Sequence, residues 1–288
     1  MSIMTIENIS KKYSRKQVLD NVSLTFEKGH CYGLLGRNGS GKSTLINIIM
    51  QRTAADKGRV LIDGKEIRNG DKAMSGLFCM NDNTFYPPEF RLKTILRITG
   101  SMFFSFDTAY AKALMEKCSI NADSRVGRLS TGESSAFKAI LALASNCDYI
   151  FLDEPVLGVD TKIRELIYTE LAAKIAEEKS CFIITTHLID EIAGMLEYAS
   201  ILHQGRLILS DTMENIAEKY ISLSGKADEI NELIKDIKPI GDENIGLFRR
   251  VIIGQTDFPE IPGSVTVSPV GLQELFNALT GGDNNEQL

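Results

Sequence analysis

A glycine-rich segment near the N-terminus contains the residue types that bind phosphate. Residues 36–43, Gly-Arg-Asn-Gly-Ser-Gly-Lys-Ser, fit the pattern G-x-x-x-x-G-K-[ST] at every position. Glycines let the backbone turn so that consecutive N–H groups point at phosphate oxygens. In such a loop Lys42 contacts the β- and γ-phosphates, and the Ser43 hydroxyl is a magnesium ligand. The segment therefore predicts a nucleoside triphosphate site, with the residues Gly36, Arg37, Asn38, Gly39, Ser40, Gly41, Lys42 and Ser43.

Two neighbouring acids, Asp153 and Glu154, follow an apolar segment at 149–152. Because a buried strand rarely contains carboxylates, the acids mark its carboxyl end, where ligands bind in open α/β sheets. Asp153 suits magnesium coordination, directly or through water, and Glu154 is placed to accept a proton from the water attacking the γ-phosphate. Alone, the pair is more simply two solvated acids, but the phosphate loop favours the catalytic interpretation.

A third segment, Leu-Ser-Thr-Gly-Glu at 129–133, precedes a helix that is predicted to run to residue 144. Ser130 and Gly132 at a helix entrance offer a hydroxyl and free N–H groups to an anion. The same residues fit an ordinary helix cap, in which Ser130 caps the helix and Glu133 closes a capping box. The local sequence favours neither interpretation over the other.

The elements that must position these segments alternate between strands and helices. A predicted strand at 30–35 precedes the phosphate loop and a predicted helix at 44–50 follows it, an order typical of α/β nucleotide-binding folds. Between 85 and 144 the apolar spacing is helical, and Asp107 is predicted to cap one helix. The other predicted elements are a helix at 161–178 and strands at 3–9, 18–26, 59–62, 65–67, 149–152, 181–186, 199–203 and 206–209.

Beyond about residue 223 the pattern changes to a small α+β appendage. Arg249 and Arg250 are expected on a solvated strand face, and the polar end at 281–288 is expected to fray. The predicted elements of the appendage are helices at 226–237 and 271–279 and strands at 247–253 and 265–267.

Composition limits the classes of protein to consider. The chain has 288 residues, 43% of them hydrophobic, and a formal net charge of -6, which predicts a folded protein and disfavours a broad nucleic-acid-binding face. No apolar run approaches the roughly 18 residues of a membrane span, and the N-terminus lacks the apolar block of a signal peptide. Five widely spaced cysteines without a Cys-x-x-Cys pair indicate buried reduced thiols. We therefore expect an intracellular protein.

Together, the motifs resemble the ATP-binding cassette (ABC) family. The shared features are the phosphate loop, the segment at 129–133, the 23 residues from Ser130 to Asp153, the Asp-Glu pair, and His187 after the next strand. The resemblance covers 1–223 and implies an α/β P-loop cassette with a RecA-like mixed-sheet core, an antiparallel β subdomain and a helical subdomain at about 85–145. The α+β appendage then occupies 224–288.

The resemblance also implies an ATPase that uses ATP and Mg²⁺ and works as a dimer of cassettes. Each ATP would lie between the phosphate loop of one subunit and the signature segment, residues 129–133, of the other. Ser130 and Gly132 would thus bind the partner's nucleotide.

Further roles follow from the resemblance. Tyr13 would stack on adenine, and Thr44 would contact the α-phosphate. Asp160, in Gly-Val-Asp at 158–160, would take part in communication between the cassettes. His187 would hydrogen-bond the γ-phosphate and the attacking water.

The chain departs from the family pattern at three positions. Thr131 replaces a glycine, and Glu133 replaces a glutamine, which places a negative charge near a polyphosphate. The glutamine that links the magnesium site to the membrane partner is absent, and Asn81 is its best substitute, shorter by one methylene. Magnesium ligation by Asn81 and the rate of turnover stay open. Hydrolysis is still predicted because the catalytic residues are present, namely Glu154, His187 and Lys42.

The favoured function is the energising subunit of an ABC transporter. A single cassette without a membrane span requires a second, identical or related cassette and an integral-membrane subunit, which the helical region would receive beside Asn81. The chain would lie peripherally at the cytoplasmic face of the membrane, without nucleic acid and without direct cargo contact. The signature, the segment at 153–160 and the appendage resemble Gram-positive exporters of drugs, antimicrobial peptides or cytolytic peptides, such as the phenol-soluble-modulin type.

The alternative is a soluble ABC-type ATPase that acts on ribosomes or nucleic acid. Such proteins usually carry two cassettes or long insertions, which this sequence lacks. A P-loop GTPase or kinase is disfavoured by the missing Asn/Thr-Lys-x-Asp motif and by the signature.

Overall fold

The computed structural model describes residues 2–81, 86–254 and 261–281. Its strands are β1 (Ile3–Tyr13), β2 (Lys16–Glu27), β3 (Cys31–Leu35), β4 (Lys57–Ile62), β5 (Lys65–Glu66), β6 (Leu77–Met80), β7 (Tyr149–Asp153), β8 (Cys181–Thr185), β9 (Tyr198–His203), β10 (Arg206–Thr212), β11 (Tyr220–Lys226), β12 (Gly241–Ile245), β13 (Phe248–Gly254) and β14 (Thr266–Pro269). Its α-helices are α1 (Lys42–Ile49), α2 (Leu92–Met102), α3 (Thr108–Lys117), α4 (Thr131–Ser145), α5 (Thr161–Ile175), α6 (Ile189–Ile192), α7 (Met213–Lys219), α8 (Ala227–Leu233) and α9 (Leu272–Thr280).

The central sheet has six strands in the order β10-β9-β3-β8-β7-β6. Strands β9, β3, β8, β7 and β6 run parallel, and β10 is antiparallel to β9. All residues of β3, β6 and β8 are buried, which explains why these strands are apolar throughout instead of alternating. Because parallel strands end at one edge, the residues that follow them, Gly36, Asn81, Glu154 and Thr186, share that edge.

A second sheet, in the order β2-β1-β4-β5, is antiparallel. One hydrophobic cluster joins it to α1 and to side chains of the central sheet. Phe26 of β2 makes edge contacts with Tyr32 and Phe151, at centroid distances of 5.1 and 6.2 Å. This cluster holds the phosphate loop, since the loop connects β3 to α1.

The helical region consists of α2, α3 and α4, which share the other main hydrophobic cluster with the central sheet. The predicted cap at Asp107 is confirmed, because its carboxylate accepts a hydrogen bond from the Tyr110 N–H at 2.9 Å. Helix α4 ends at Asn146, whose φ of 47° breaks the helical path. Between 86 and 144 the structure has helices and one isolated bridge, Arg91 to Arg125, as the apolar spacing predicted.

The C-terminal appendage contains a third sheet, in the order β12-β13-β11-β14. A small cluster around Leu223, Ile230 and Val251 forms its interior with α8, whereas Leu275 and Phe276 of α9 belong to the main cluster of the cassette. The appendage therefore has a core of its own and also packs against the rest of the chain. A division after residue 223 would fall inside β11, and we propose that the appendage begins at Tyr220. The expected frayed end is 281–288, and all of it except Gly281 lies outside the described residues.

The expectation that Arg249 and Arg250 form a solvated strand face is wrong for Arg249, whereas the Arg250 side chain keeps 38% of its surface exposed. Arg250 donates to Ser222 Oγ at 2.7 Å and to Glu274 Oε2 at 2.8 Å, which ties the third sheet to α9. Arg249 pairs with Asp242 at 2.6 Å, and its side chain is 17% exposed. These partners could not be predicted from the local sequence because they lie on secondary-structure elements other than β13.

No helix in the described ranges is long and apolar enough to cross a membrane. The longest, α4 and α5, have 15 residues each.

Candidate nucleotide-binding and hydrolysis site

The phosphate loop leaves β3 and ends at the first turn of α1. Gly41 is the N-cap residue of α1 with a φ of 112°, a conformation that glycine adopts without strain. No side chain caps this helix. The first N–H groups of α1 therefore stay available to an anion, which the helix dipole also favours.

Close packing explains why two positions of the loop are glycine. A β-carbon on Gly36 would lie 2.4 Å from Ser40 Oγ and 2.5 Å from the carbonyl oxygen of Leu202. A β-carbon on Gly41 would lie 2.7 Å from Cδ2 of Leu19. All three distances are far inside van der Waals contact, so β2 and β9 pack directly against the loop and fix its course.

Lys42 folds back onto its own loop. Its Nζ donates to the carbonyl oxygen of Gly36, and to that of Arg37 at 3.3 Å. Burial lowers the pKa of Lys42, while the neighbouring charges of Asp153 and Glu154 act to raise it. The fold thus brings the lysine within electrostatic reach of both acids.

The two acids occupy the end of β7 and the residue after it. Asp153 pairs with Thr185 in the parallel register of β7 and β8, and the Thr185 hydroxyl donates to Asp153 Oδ1. Glu154 has a φ of 50°, uncommon for a residue other than glycine. Its N–H donates to the Thr185 carbonyl oxygen at 2.9 Å, which holds this turn in place.

The Glu154 carboxylate contacts the segment that follows β8. Its Oε2 accepts from the Thr186 hydroxyl at 3.1 Å and lies 3.0 Å from Nδ1 of His187. Glu154 is 26% exposed and His187 is 61% exposed, so the pair sits at the surface of the carboxyl edge. His187 is therefore placed beside the predicted base, where it can also meet a nucleotide from solvent.

The signature segment forms the start of α4. Ser130 is the N-cap, and its hydroxyl accepts from the Glu133 N–H at 3.2 Å. The Glu133 carboxylate accepts in return from the Ser130 N–H at 2.8 Å. The capping box is thus present, and none of the hydrogen bonds described for Ser130 reaches the phosphate loop of its own chain.

Gly132 packs against the segment around Gly158. A β-carbon on Gly132 would lie 2.3 Å from the Gly158 carbonyl oxygen, and one on Gly158 would lie 3.3 Å from Cγ2 of Thr131. Asp160 caps α5, since its carboxylate accepts from the N–H groups of Lys162 and Ile163. The signature and the 158–160 segment therefore contact each other within one chain.

The other predicted residues lie around the loop. Tyr13 ends β1 and is 47% exposed, with the Lys11 ammonium 5.4 Å from its ring centroid. The β1–β2 hairpin that carries it packs against Gly41. Ser43 and Thr44 are the second and third residues of α1. Asn81 follows β6 and is 3% exposed, and its carbonyl oxygen accepts from Lys138 of α4 at 3.2 Å.

Four residues that contact the site residues were not predicted from the sequence. Thr185 and Thr186 bond the acids, Lys138 bonds the backbone of Asn81, and Thr280 of α9 accepts from Arg37 Nε at 3.1 Å. Thr185 and Thr186 could have been found, because they end a strand next to the strand of the acids. The local sequence does not indicate the contacts of Lys138 and Thr280, since their partners depend on how distant elements pack.

Sequence comparisons agree with this geometry. The model of a family described as ABC transporter matches residues 19–157, which include the phosphate loop, the signature and the acid pair. A second model, described as AAA domain, putative AbiEii toxin, Type IV TA system, matches residues 124–192. The ABC transporter ATP-binding protein YtrB of Bacillus subtilis (strain 168) is 32% identical over 97% of this chain and 99% of YtrB. The chain belongs to the ABC transporter ATP-binding family.

Other ABC proteins are similar over the cassette. The Nod factor export ATP-binding protein I of Burkholderia lata is 31% identical over 74% of this chain and 72% of that protein. A nucleotide-free ATP-binding cassette from an ABC transporter aligns with a TM-score of 0.60 and 28% identity, over 74% of this chain and 92% of the cassette. A dimeric cassette in a post-hydrolysis state, bound to ADP and Pi, shares the fold, with a TM-score of 0.63 at 22% identity over 73% of this chain and 98% of that one.

Membership of the ABC transporter ATP-binding family establishes the general activity of the chain. As an ABC ATP-binding subunit, the chain is an ATPase that hydrolyses ATP to power transport. The transporter interpretation is therefore favoured over the soluble ATPase of ribosomes or nucleic acid. The P-loop cassette fold predicted from the motifs is confirmed by the structure and by its solved relatives.

Proposed function

We propose that Glu154 is the general base of ATP hydrolysis in this subunit. The observation that carries the proposal is the convergence of Glu154, Thr186 and His187 at the carboxyl edge, within electrostatic reach of Lys42. An ionised carboxylate at that edge can accept the proton of an attacking water. His187 would then orient the γ-phosphate and the water between them.

ATP would bind by exchanging hydrogen bonds in the phosphate loop. The β- and γ-phosphates would replace the two carbonyl oxygens that Lys42 now contacts, and the uncapped N–H groups of α1 would bind phosphate oxygens. Tyr13 would offer its exposed ring to adenine. The charge of Lys42 is needed for this exchange; burial lowers the pKa of Lys42, and the charges of Asp153 and Glu154 partly offset that effect.

The donor set of the site fits magnesium. Ser43 supplies a hydroxyl, Asp153 a carboxylate and Asn81 an amide, and such hard oxygen donors suit this ion. Among the described residues, no cluster of three or more His, Cys, Asp and Glu side chains could hold a metal ion. When bound, the ion neutralises charge on the β- and γ-phosphates.

A second cassette would complete the site. Ser130 begins a helix at the protein surface, whereas its described bonds stay within its own first turn. This placement supports a role for Ser130 and Gly132 toward the nucleotide of a partner, and the dimeric relative shows that such cassettes pair. Asp160 would then lie at the same interface, because its segment packs on Gly132.

We further propose an export function with a separate membrane subunit. The likeness to YtrB, an ABC transporter ATP-binding protein, over nearly the whole chain supports a transporter subunit, and the likeness to a Nod factor export ATP-binding protein over the cassette supports export. The chain would bind the membrane subunit through its helical region and lie peripherally at the cytoplasmic face of the membrane. Peptides or drugs remain the proposed cargo.

The direct test of the base is Glu154→Gln, which keeps the shape of the side chain and removes its basicity. ATP binding should persist while turnover falls by about 100-fold or more, because proton transfer to the base is lost. The variant should also accumulate as a nucleotide-bound dimer in light scattering. Glu165→Gln on the exposed face of α5 is the matched control and should hydrolyse ATP normally. Undiminished hydrolysis by Glu154→Gln would refute the assignment.

Ser130→Arg tests the composite site. The larger, charged side chain should block dimer closure and hydrolysis while each monomer still binds ATP. Because the change also removes the helix cap, Ser130→Ala provides the control and should lower stability by about 1 kcal/mol. Normal dimer closure and hydrolysis in Ser130→Arg would exclude the signature from the site.

A further inference from the structure

Two consecutive threonines at the end of β8 each donate to one of the two consecutive acids at the end of β7. Thr185 donates to Asp153 Oδ1, and Thr186 donates to Glu154 Oε2 at 3.1 Å. Both threonines are buried, at 0% and 3% exposure. Their hydroxyls are thus withdrawn from bulk water and committed to the carboxylates.

Local backbone geometry explains how neighbouring residues can both make this contact. Side chains of consecutive residues in a regular strand point to opposite faces. Thr185 and Asp153 pair inside the sheet, but Thr186 and Glu154 lie beyond the strand ends, where Glu154 has a φ of 50°. The Glu154 N–H bond to the Thr185 carbonyl oxygen fixes this turn. The bend therefore turns the second acid towards the second threonine.

The hydrogen-bond directions at Thr186 are determined by its neighbours. A hydroxyl has one hydrogen to donate, and its oxygen can accept in addition. The Thr186 oxygen accepts from the Leu188 N–H at 3.0 Å, so its hydrogen is left for Glu154. An ionised carboxylate can only accept, which matches this donor.

Both side-chain contacts of the Glu154 carboxylate go to the same oxygen. Oε2 meets Thr186 Oγ1 and His187 Nδ1, and no described residue bonds Oε1. One oxygen is thereby anchored, and the other is left for a water molecule.

We propose that Thr186 is a positioning residue that anchors Glu154 through Oε2 and so presents Oε1 to the attacking water. Thr185 has the parallel task of orienting Asp153 towards magnesium. The proposal rests on Glu154 being the general base. It adds two separable roles: Thr186 acts on the chemical step, and Thr185 acts on the requirement for the ion.

Valine substitutions test the two roles separately, because valine keeps the branched shape and removes the donor. Thr186→Val should lower kcat by about 10- to 100-fold, the effect of losing a hydrogen bond to a charged group, with little change in KM for ATP. Thr186→Ser keeps the hydroxyl and should restore most of the activity. Thr185→Val should raise the Mg²⁺ concentration at which a fluorescent ATP analogue reaches half-maximal binding, a readout independent of turnover.

Thr99→Val is the matched control for loss of a buried hydroxyl. Thr99 is 5% exposed and donates to the Ile95 carbonyl oxygen at 2.9 Å within α2, away from the site. This variant should keep wild-type kcat and Mg²⁺ dependence. If Thr186→Val folds poorly because its added methyl group faces the Leu188 N–H, Thr186→Ala removes the same donor without that methyl group; both variants leave the Leu188 N–H without the Oγ1 acceptor.

The outcomes separate this inference from the assignment of the base. If Glu154→Gln abolishes turnover but Thr186→Val and Thr186→Ala retain wild-type kcat, the positioning role is wrong and the base stands. If Glu154→Gln stays active, the base assignment itself fails. A loss of activity in Thr186→Ser as large as in Thr186→Val would also overturn the proposal, since the donor is then not what matters.

Discussion

Gly132 offers a sharp test of the contact between the signature and the segment at 158–160. Substitution by alanine would place a β-carbon 2.3 Å from the Gly158 carbonyl oxygen. A normal carbon–oxygen contact is about 1 Å longer, so either the first turn of α4 or the Gly158 segment has to move. The backbone of Gly158 already has a φ of 70° and lies against Thr131, which limits its freedom to retreat.

The size of the effect follows from two opposing contributions. Overpacking of a close contact costs about 1–3 kcal/mol. Alanine in place of glycine near a helix start recovers up to about 1 kcal/mol. The difference spans about 0–3 kcal/mol, with a central value of about 1–2 kcal/mol lost from the free energy of unfolding. At about 2.1 cal/mol/K of unfolding entropy per residue, this central value is roughly 2–3 °C in Tm for 288 residues.

Thermal unfolding of Gly132→Ala beside Gly194→Ala provides the assay. A β-carbon added to Gly194 would meet no atom within 4 Å, and this glycine has no positive φ, so its alanine variant should match or slightly exceed wild-type stability. ATP hydrolysis should fall in Gly132→Ala alone, because displacing Ser130 by about 1 Å can reduce catalysis by about 100-fold. Equal Tm values for the two variants would refute the packing argument.

Three further outcomes are expected. Glu133→Gln should keep the capping box with Ser130 but remove a negative charge from the partner's nucleotide, so ATP-driven dimers should form at lower protein concentration in light scattering; weaker dimers would contradict this. Thr280→Val removes the hydroxyl that accepts from Arg37 Nε and should lower the free energy of unfolding by about 0.5–1.5 kcal/mol in urea titrations, with faster hydrogen exchange in the phosphate loop; unchanged exchange would show that the contact is dispensable. Burial raises the pKa of Cys79 to about 11, so at pH 8 its thiol stays protonated and should resist iodoacetamide until urea unfolds the chain, as mass spectrometry can check; rapid labelling of the native protein would show that this part of the core opens.

The residues of the nucleotide site could be predicted because their positions follow from local pattern. The strand before Gly36 and the helix after it are visible in sequence, and an acid pair ending an apolar strand marks the same edge. The five cysteines were expected to be buried, and all five are. These features depend on short segments that keep their structure in many contexts.

Contacts between distant segments could not be predicted in the same way. Strand β6 has four buried residues, and its partner β7 lies some 70 residues further along the chain, so its apolar run was too short to indicate a strand by itself. Strand β12 is largely polar, Gly-Asp-Glu-Asn-Ile, and exists because it pairs with β13. In both cases the pairing partner, rather than the local preference, determines the structure.

The threonines of β8 show why chemistry can be hidden in an ordinary strand. Thr185 and Thr186 continue an apolar, β-branched run, and such residues are enriched in strands for packing reasons. The register of β7 and β8 brings the Thr185 hydroxyl to Asp153, and the bend at Glu154 beyond the strand ends brings the Thr186 hydroxyl to the second acid. The sequence therefore identifies the two acids but not the residues that orient their carboxylates.

The appendage and the nucleotide site are connected through a short path of contacts. Thr280 accepts from Arg37 in the phosphate loop and donates to the Phe276 carbonyl oxygen one turn back in α9. Phe276 belongs to the main hydrophobic cluster of the cassette, while Glu274 on the same helix bonds Arg250 of the third sheet. Helix α9 thus holds the loop on one side and the appendage sheet on the other. Removing the appendage would therefore expose cassette core and break the bond between Arg37 and Thr280 at the same time, so the contribution of the appendage to ATP turnover is better measured by single substitutions such as Thr280→Val than by truncation.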